Sequence, residues 1–130
     1  MNELIKKLIE ALDCPVYGQR TTDMGECVIY DYHTFSQSDG VQKIRLQITI
    51  IAPTSAETLK QEEIIKSTIL TLGDTPLTDD ILQVAANGGG TLYDDGRQMQ
   101  HRIIYFDIVK RGVYCWLLIK KLFSAAENFM

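Results

Sequence analysis

The stretch that most constrains this chain runs from Val41 to Ala52, VQKIRLQITIIA. Ile44, Leu46, Ile48 and Ile50 alternate there with Lys43, Arg45, Gln47 and Thr49. Successive side chains of a strand point to opposite faces, so this spacing demands one apolar face and one wet face. Pro53 has no N–H to give to a ladder and stops the strand. Thr54 and Glu57 fit a capping box directly after it, which predicts a helix from there to about Leu72. Gly73 suits a left-handed cap, and Pro76 blocks any continuation. Leu59, Ile65, Ile69 and Leu72 are expected on the inner side of this helix. Lys60, Gln61, Glu63 and Lys66 are expected on the outer side. A half-buried strand feeding an amphipathic helix is the nucleus of an α+β layer, and the rest of the chain must pack around it.

The flanking segments fill in that layer. Asn2 can cap a first helix from about Glu3 to Leu12, with Leu4, Ile5, Leu8, Ile9 and Leu12 as its apolar stripe. Pro15 ends it, Val16–Gly18 reads as a short strand, and Thr21–Gly25 as a loop. Cys27–Phe35 is rich in β-branched and aromatic residues and reads as a strand. Asp39–Gly40 is the strongest hairpin signal in the chain, so the strand at 41–52 returns antiparallel to 27–35. Arms of about nine or ten residues exceed the usual five or six, which suggests a hairpin reaching beyond the sheet. Ile81–Ala86 fits either a strand or a frayed helical turn. Asn87–Gly90 reads as a flexible hinge, and Asp94–Asp95–Gly96 as a turn. Gln98–Val109 is the last clear strand. It is apolar on both sides in its second half, as a central or doubly covered strand is.

The C-terminal stretch carries Trp116, Ile119, Phe123 and Ala126 at helical spacing, which predicts a helix over 114–127. Val113–Ile119 is an unbroken apolar run that needs a partner, either the second sheet face at Ile103 and Tyr105 or a neighbouring subunit. The fold expectation is therefore α+β. A mostly antiparallel sheet of four or five strands, with a long hairpin, is packed by two helices, and a helical segment closes the chain.

At 130 residues the chain fits one domain, with a core at about 3–111 and an extension at 113–130. No window is apolar enough to span a membrane, and the charged N-terminus does not read as a signal peptide. The expectation is a protein that stays in the cell that makes it, or leaves inside an assembly. Cys14, Cys27 and Cys115 are widely spaced and form no CxxC, so they read as free thiols. The net charge of −4 argues against a general nucleic-acid binder, which needs a basic stripe.

Candidate chemistry is sparse. His33 and His101 are the only histidines, and Cys27 with either could form a nucleophile–base pair. No glycine-flanked elbow supports such a pair. Asp79–Asp80 and Asp94–Asp95 have turn spacing rather than metal-site spacing. Gly88–Gly90 lacks the Lys–Ser/Thr of a phosphate loop. Tyr30, Tyr32, Tyr105 and Phe106 lack the interleaved basic residues of a base-stacking surface. The expectation is no enzyme activity, no catalytic or metal-binding residues and no cofactor.

The order of elements, with Pro15–Tyr17, Leu46–Ala52 and its helix, and Leu92–Tyr93 before Arg102–Val109, resembles the tail-terminator or tail-completion proteins of long-tailed bacteriophages and prophages. The resemblance spans roughly residues 3–111. It implies a structural protein of the virion, forming a hexameric ring that caps the tail tube and faces the head–tail connector protein. DNA would pass through the channel without specific binding. It implies no catalytic residues, no membrane, and localisation to the virion and, during assembly, the host cytoplasm. The hairpin arms and the C-terminal segment then become the candidate subunit interface, with Tyr32, Phe35, Val41, Lys43, Trp116 and Phe123 as its residues. The reading from a different class is a small intracellular α+β enzyme or regulatory binding protein, with a pocket that the sequence does not advertise.

Overall fold

The computed structural model describes residues 2–23, 25–38, 40–74 and 81–111. The elements follow as α1 (Asn2–Ala11), β1 (Val16–Gly18), β2 (Cys27–Ser38), β3 (Val41–Ala52), α2 (Ser55–Asp74), β4 (Ile81–Asp94) and β5 (Met99–Arg111). The fold is α+β: a five-stranded, mostly antiparallel sheet with two helices.

The strands lie in the order β1-β2-β3-β5-β4. β1 runs parallel to β2, and every other pairing is antiparallel. β3 and β4 both oppose β5, so they are parallel to each other. The connection between them is α2, as parallel strands require a crossover.

The alternation in β3 sets the layers. Ile44, Leu46, Ile48 and Ile50 are buried while Arg45, Gln47 and Thr49 are half-exposed. Across the sheet, register places Val28 beside Ile50, Ile104 beside Ile48, Phe106 beside Leu46 and Ile108 beside Ile44. These residues join Leu4, Ile5, Leu8 and Leu12 of the first helical segment and Ile65 and Ile69 of α2 in one core. One sheet face is thus covered by helices. The N-terminus of α2 is capped as expected, with the Glu57 N–H donating to Thr54 Oγ1 at 3.3 Å.

Several sequence expectations are corrected. The expected helix start at Glu3 moves to Asn2, which is itself helical. Ile9 is half exposed, because it sits at the margin of a stripe centred on Leu4 and Leu8. In α2 the inner side runs through Thr58, Gln61, Glu62, Ile65 and Ile69, and Leu59 lies outside it. Gln61 is buried, not solvent-facing. The helix reads weakly as amphipathic because part of its buried side is polar, and that part answers a charge on the sheet described below. The backbone helix continues through Gly73 to Asp74, so Gly73 does not cap it. The inward placement of Leu72 lies outside the described side chains.

The larger correction concerns β4. Of the two alternatives for residues 81–86 the strand is the one found, and Asn87–Gly90 is no hinge between strands. All belong to one fourteen-residue strand. Its ladder with β5 shifts between Ala86 and Gly89, so the glycines absorb a bulge inside the strand. A side chain at Gly89 would place its Cβ against the Ile103 carbonyl oxygen, and Gly88 has φ 75°. The sequence signals of a hinge and of a bulge are the same residues, since both need conformations that only glycine adopts freely.

The β2–β3 hairpin is longer than expected, at twelve residues per arm, and closes with Ser38 opposite Val41 and Gly40 at φ 75°. It does not project as a free ribbon. β5 pairs along all of β3, from Val41 opposite Arg111 to Ala52 opposite Gln100. The helix expected over 114–127 lies outside the described residues.

Candidate functional site

The sheet ends in two edges of unequal protection. At one end, β1 covers only the first part of β2. The Val28 N–H donates to the Pro15 carbonyl at 2.9 Å, and the Tyr30 carbonyl accepts the Gln19 N–H at 2.7 Å. Main-chain groups of even-numbered residues in this part of β2 therefore point away from β3. Period two extends the pattern to Tyr32 and Thr34, up to the bulge between Thr34 and Ser36. Among the described residues nothing pairs with these groups. At the other end, β4 is the last strand, and none of the described strands pairs with its outer side.

The candidate interface residues fall in different places. Tyr32 and Phe35 are both exposed, at 40% and 47%, but strand alternation puts them on opposite faces. Tyr32 lines a shallow depression with Gly18, Gln19 and Tyr30 at the β1–β2 edge. Phe35 and Lys43 line another on the face away from the helices, with Arg45, Gln83 and Asp107. Val41 is half-buried at the hairpin turn. Trp116 and Phe123 lie outside the described residues.

The face opposite the helices carries a polar chain across four strands. Arg45 stacks over the Phe35 ring at 5.2 Å. Its Nε also meets Asp107 Oδ1 at 3.1 Å, and Asn87 Nδ2 donates to Asp107 Oδ2 at 2.7 Å. These contacts tie β2, β3, β5 and β4 in cross-strand register and add little stability each, being partly exposed.

On the helix side, α2 is clamped to the sheet by charge. Arg102 meets Glu62 twice, Nε to Oε2 at 3.1 Å and Nη2 to Oε1 at 3.3 Å, and its Nη1 donates to Thr91 Oγ1 at 3.1 Å. Lys66 Nζ lies 3.0 Å from Glu62 Oε1. Burial alone would raise the Glu62 pKa, but the hydrogen bonds and charges of Arg102 and Lys66 outweigh it and hold the carboxyl below its ordinary value.

Among the described residues no nucleophile–base pair assembles. Cys27 and His101 flank Ile51 in register, on strands either side of β3. Two strand spacings separate them by about 10 Å. Burial raises the Cys27 thiol pKa, and burial followed by the Glu26 charge pushes Cys14 up to about 11, so both stay protonated at neutral pH. His33 is exposed on β2. Asp94 is occupied in the β4–β5 turn, where its Oδ1 accepts the Gly96 and Arg97 N–H groups and its Oδ2 lies 3.5 Å from His101 Nε2. Asp23 is similarly held. The Gly25 N–H and the Tyr17 hydroxyl both donate to it, and both lower its pKa. Among the described residues no group of His, Cys, Asp and Glu is placed to hold a metal, and no helix is long and apolar enough to cross a membrane. Asp79–Asp80 lies outside the described residues.

The feature missed in the sequence is the outer edge of β4. Its signal was present: no charged residue and no proline occurs from Ile81 to Tyr93. A hinge at Asn87–Gly90 would cut that stretch in two, which hides it.

No protein-family model matches the chain, and no curated protein matches it. Among solved structures, the fold is similar to that of a chain in the virion of a native gene transfer agent particle, with a TM-score of 0.63 at 13% identity. The match covers 84% of this chain and 92% of that one, so most of both chains shares one architecture.

Proposed function

We propose that this chain is a structural protein of a phage or prophage virion. Six copies form a ring that caps the tail tube and gives the head–tail connector protein its surface. The observation that carries this reading is the similarity of its fold, over 84% of its length, to a chain of a gene transfer agent virion. A fold alone does not determine a role. The order of elements supports the same reading independently, because it resembles tail terminators. DNA passes through the ring without specific contacts, and a net charge of −4 favours that, since acidic walls repel phosphate. The protein then belongs to the neck or tail of the particle, after assembly in the host cytoplasm.

The test is deletion of the gene from a genome that produces the particles, followed by electron microscopy. Uncapped tubes of irregular length and unjoined heads are expected, and wild-type protein supplied in trans should restore uniform tails. Normal particles from the deletion strain would remove the proposal.

A further inference from the structure

We infer that the outer edge of β4 pairs antiparallel with Asp31–Ser38 of β2 in the next copy of the chain, so that one sheet continues from subunit to subunit. This rests on the ring reading above and deepens it, by naming the two surfaces that meet.

A sheet edge is a row of unpaired N–H and C=O groups, and soluble proteins protect long edges with charge, proline, distortion or a covering element. β4 has a bulge but neither charge nor proline from Ile81 to Tyr93. Leu82, Leu92 and Tyr93 stand 45%, 57% and 47% exposed along it. At the far end of the sheet, β1 covers β2 only from Val28 to Tyr30. The remaining eight residues carry one charged side chain, Asp31, no proline, and a bulge between Thr34 and Ser36. The regular run before the bulge, Asp31 to Thr34, spans about 13 Å, and residues beyond the bulge can lengthen the pairing. The outward main-chain groups of Tyr32 and Thr34 supply donors and acceptors for it.

Direction fits as well. β2 opposes β3, β3 opposes β5, and β5 opposes β4, so β2 and β4 run in opposite senses within one chain. Rotation about a ring axis along the strands preserves sense, so β4 of one copy meets β2 of the next in the antiparallel arrangement. The contact joins two different surfaces of the same chain, which is the heterologous geometry that closes into rings. A two-fold contact of β4 with β4 would leave the β2 edge open.

The test compares the wild-type chain with Thr34→Pro, Thr34→Val and Leu92→Lys by light scattering, with thermal melting as the control for folding. Thr34→Pro removes an outward N–H that the β2–β3 ladder does not use, and edge strands tolerate proline there. Leu92→Lys adds the charge that β4 lacks. Wild type and Thr34→Val should show a mass that is a multiple of 14.7 kDa. Thr34→Pro and Leu92→Lys should fall to a single chain with melting points near the parent. In the assembled wild type, the amides of Tyr32 and Thr34 should exchange hydrogen at least tenfold more slowly than after dilution to monomer. That comparison stands even if the proline variant fails to fold. Assembly that survives both substitutions, or fast exchange at these amides in the assembly, overturns the inference and leaves the ring. A dimer sensitive only to Leu92→Lys overturns it in favour of β4–β4 pairing. A wild-type chain that is monomeric up to millimolar concentration overturns both ring and edge. Rings broken as expected, beside normal particles from the deletion strain, would keep the edge contact and remove the virion role.

Discussion

Glu62 is the residue whose environment is most specific. Its side chain is 6% exposed, on a helix that the sequence suggests should present charge to water. It is buried because Arg102, on the helix-facing side of β5, must be answered from above. A guanidinium fork matched to a carboxylate is the geometry that makes such burial tolerable. Removing Arg102 takes away the matched fork and leaves the buried carboxylate to Lys66. Arg102→Ala should cost roughly 2–3 kcal/mol, a value held down by the partial exposure of the arginine. The pH dependence follows from sign. The folded-state pKa of Glu62 lies below its ordinary 4.5. Its contribution is therefore complete above about pH 4.5 and is lost as pH falls through the lower folded value. In Arg102→Ala, burial is opposed by Lys66 without the arginine's help, so that acid-side loss should flatten. Melting curves from pH 3 to 7 for both proteins decide it. Parallel acid limbs would show that the pair does not set the carboxyl.

At the scale of elements, legibility followed the strength of periodicity. β3 was readable to the residue, because its period two has no competing reading and Pro53 marks its end. The cap of α2 was readable from Thr54 and Glu57. Its buried stripe was not, because Gln61 and Glu62 are buried for an interaction with Arg102 that lies forty residues further along the chain. β4 was least legible. Glycines at 88–90 erase periodicity, and its partner follows it in sequence, so only the completed sheet reveals a strand. The scattered positions of Tyr32, Phe35 and Lys43 have a similar origin. Sequence proximity grouped them, while alternation and the bulge at Phe35 separate them. Gly89 shows what the bulge requires. Its missing Cβ makes room for the Ile103 carbonyl, which is backbone and cannot swing aside. Gly89→Ala should cost about 1–3 kcal/mol, as overpacking does. Gly90→Ala, with open space at its Cβ, should cost less than half as much. Equal losses in urea titrations would show that the bulge is not sterically set.

Among the described residues the large apolar core lies on one face of the sheet, the helix side. Val28, Ile48, Ile50, Ile104, Phe106 and Ile108 are each at most 1% exposed, and they meet α2 and the first helical segment in one core. The opposite face holds half-exposed Gln47, Thr49, Ile103 and Tyr105 with the Arg45–Asp107–Asn87 chain. Stability is therefore asymmetric across a single pleat, and adjacent residues of β3 should differ sharply. Ile48 is fully buried at the centre, between Tyr30 and Ile104. An aspartate there is an unpaired carboxylate in an apolar layer, costing several kcal/mol against a total of about 5–15. Thr49, the next residue, lies on the other face between Ile29 and Ile103 and keeps contact with water. An aspartate there loses strand propensity and some packing, about 1 kcal/mol. Ile48→Asp should abolish cooperative unfolding, and Thr49→Asp should keep it with a modestly lower midpoint. Far-UV circular dichroism against urea separates the two. If both variants unfold alike, the two faces carry similar loads and the one-sided core is wrong. If both melt like the parent, the sheet does not depend on its centre.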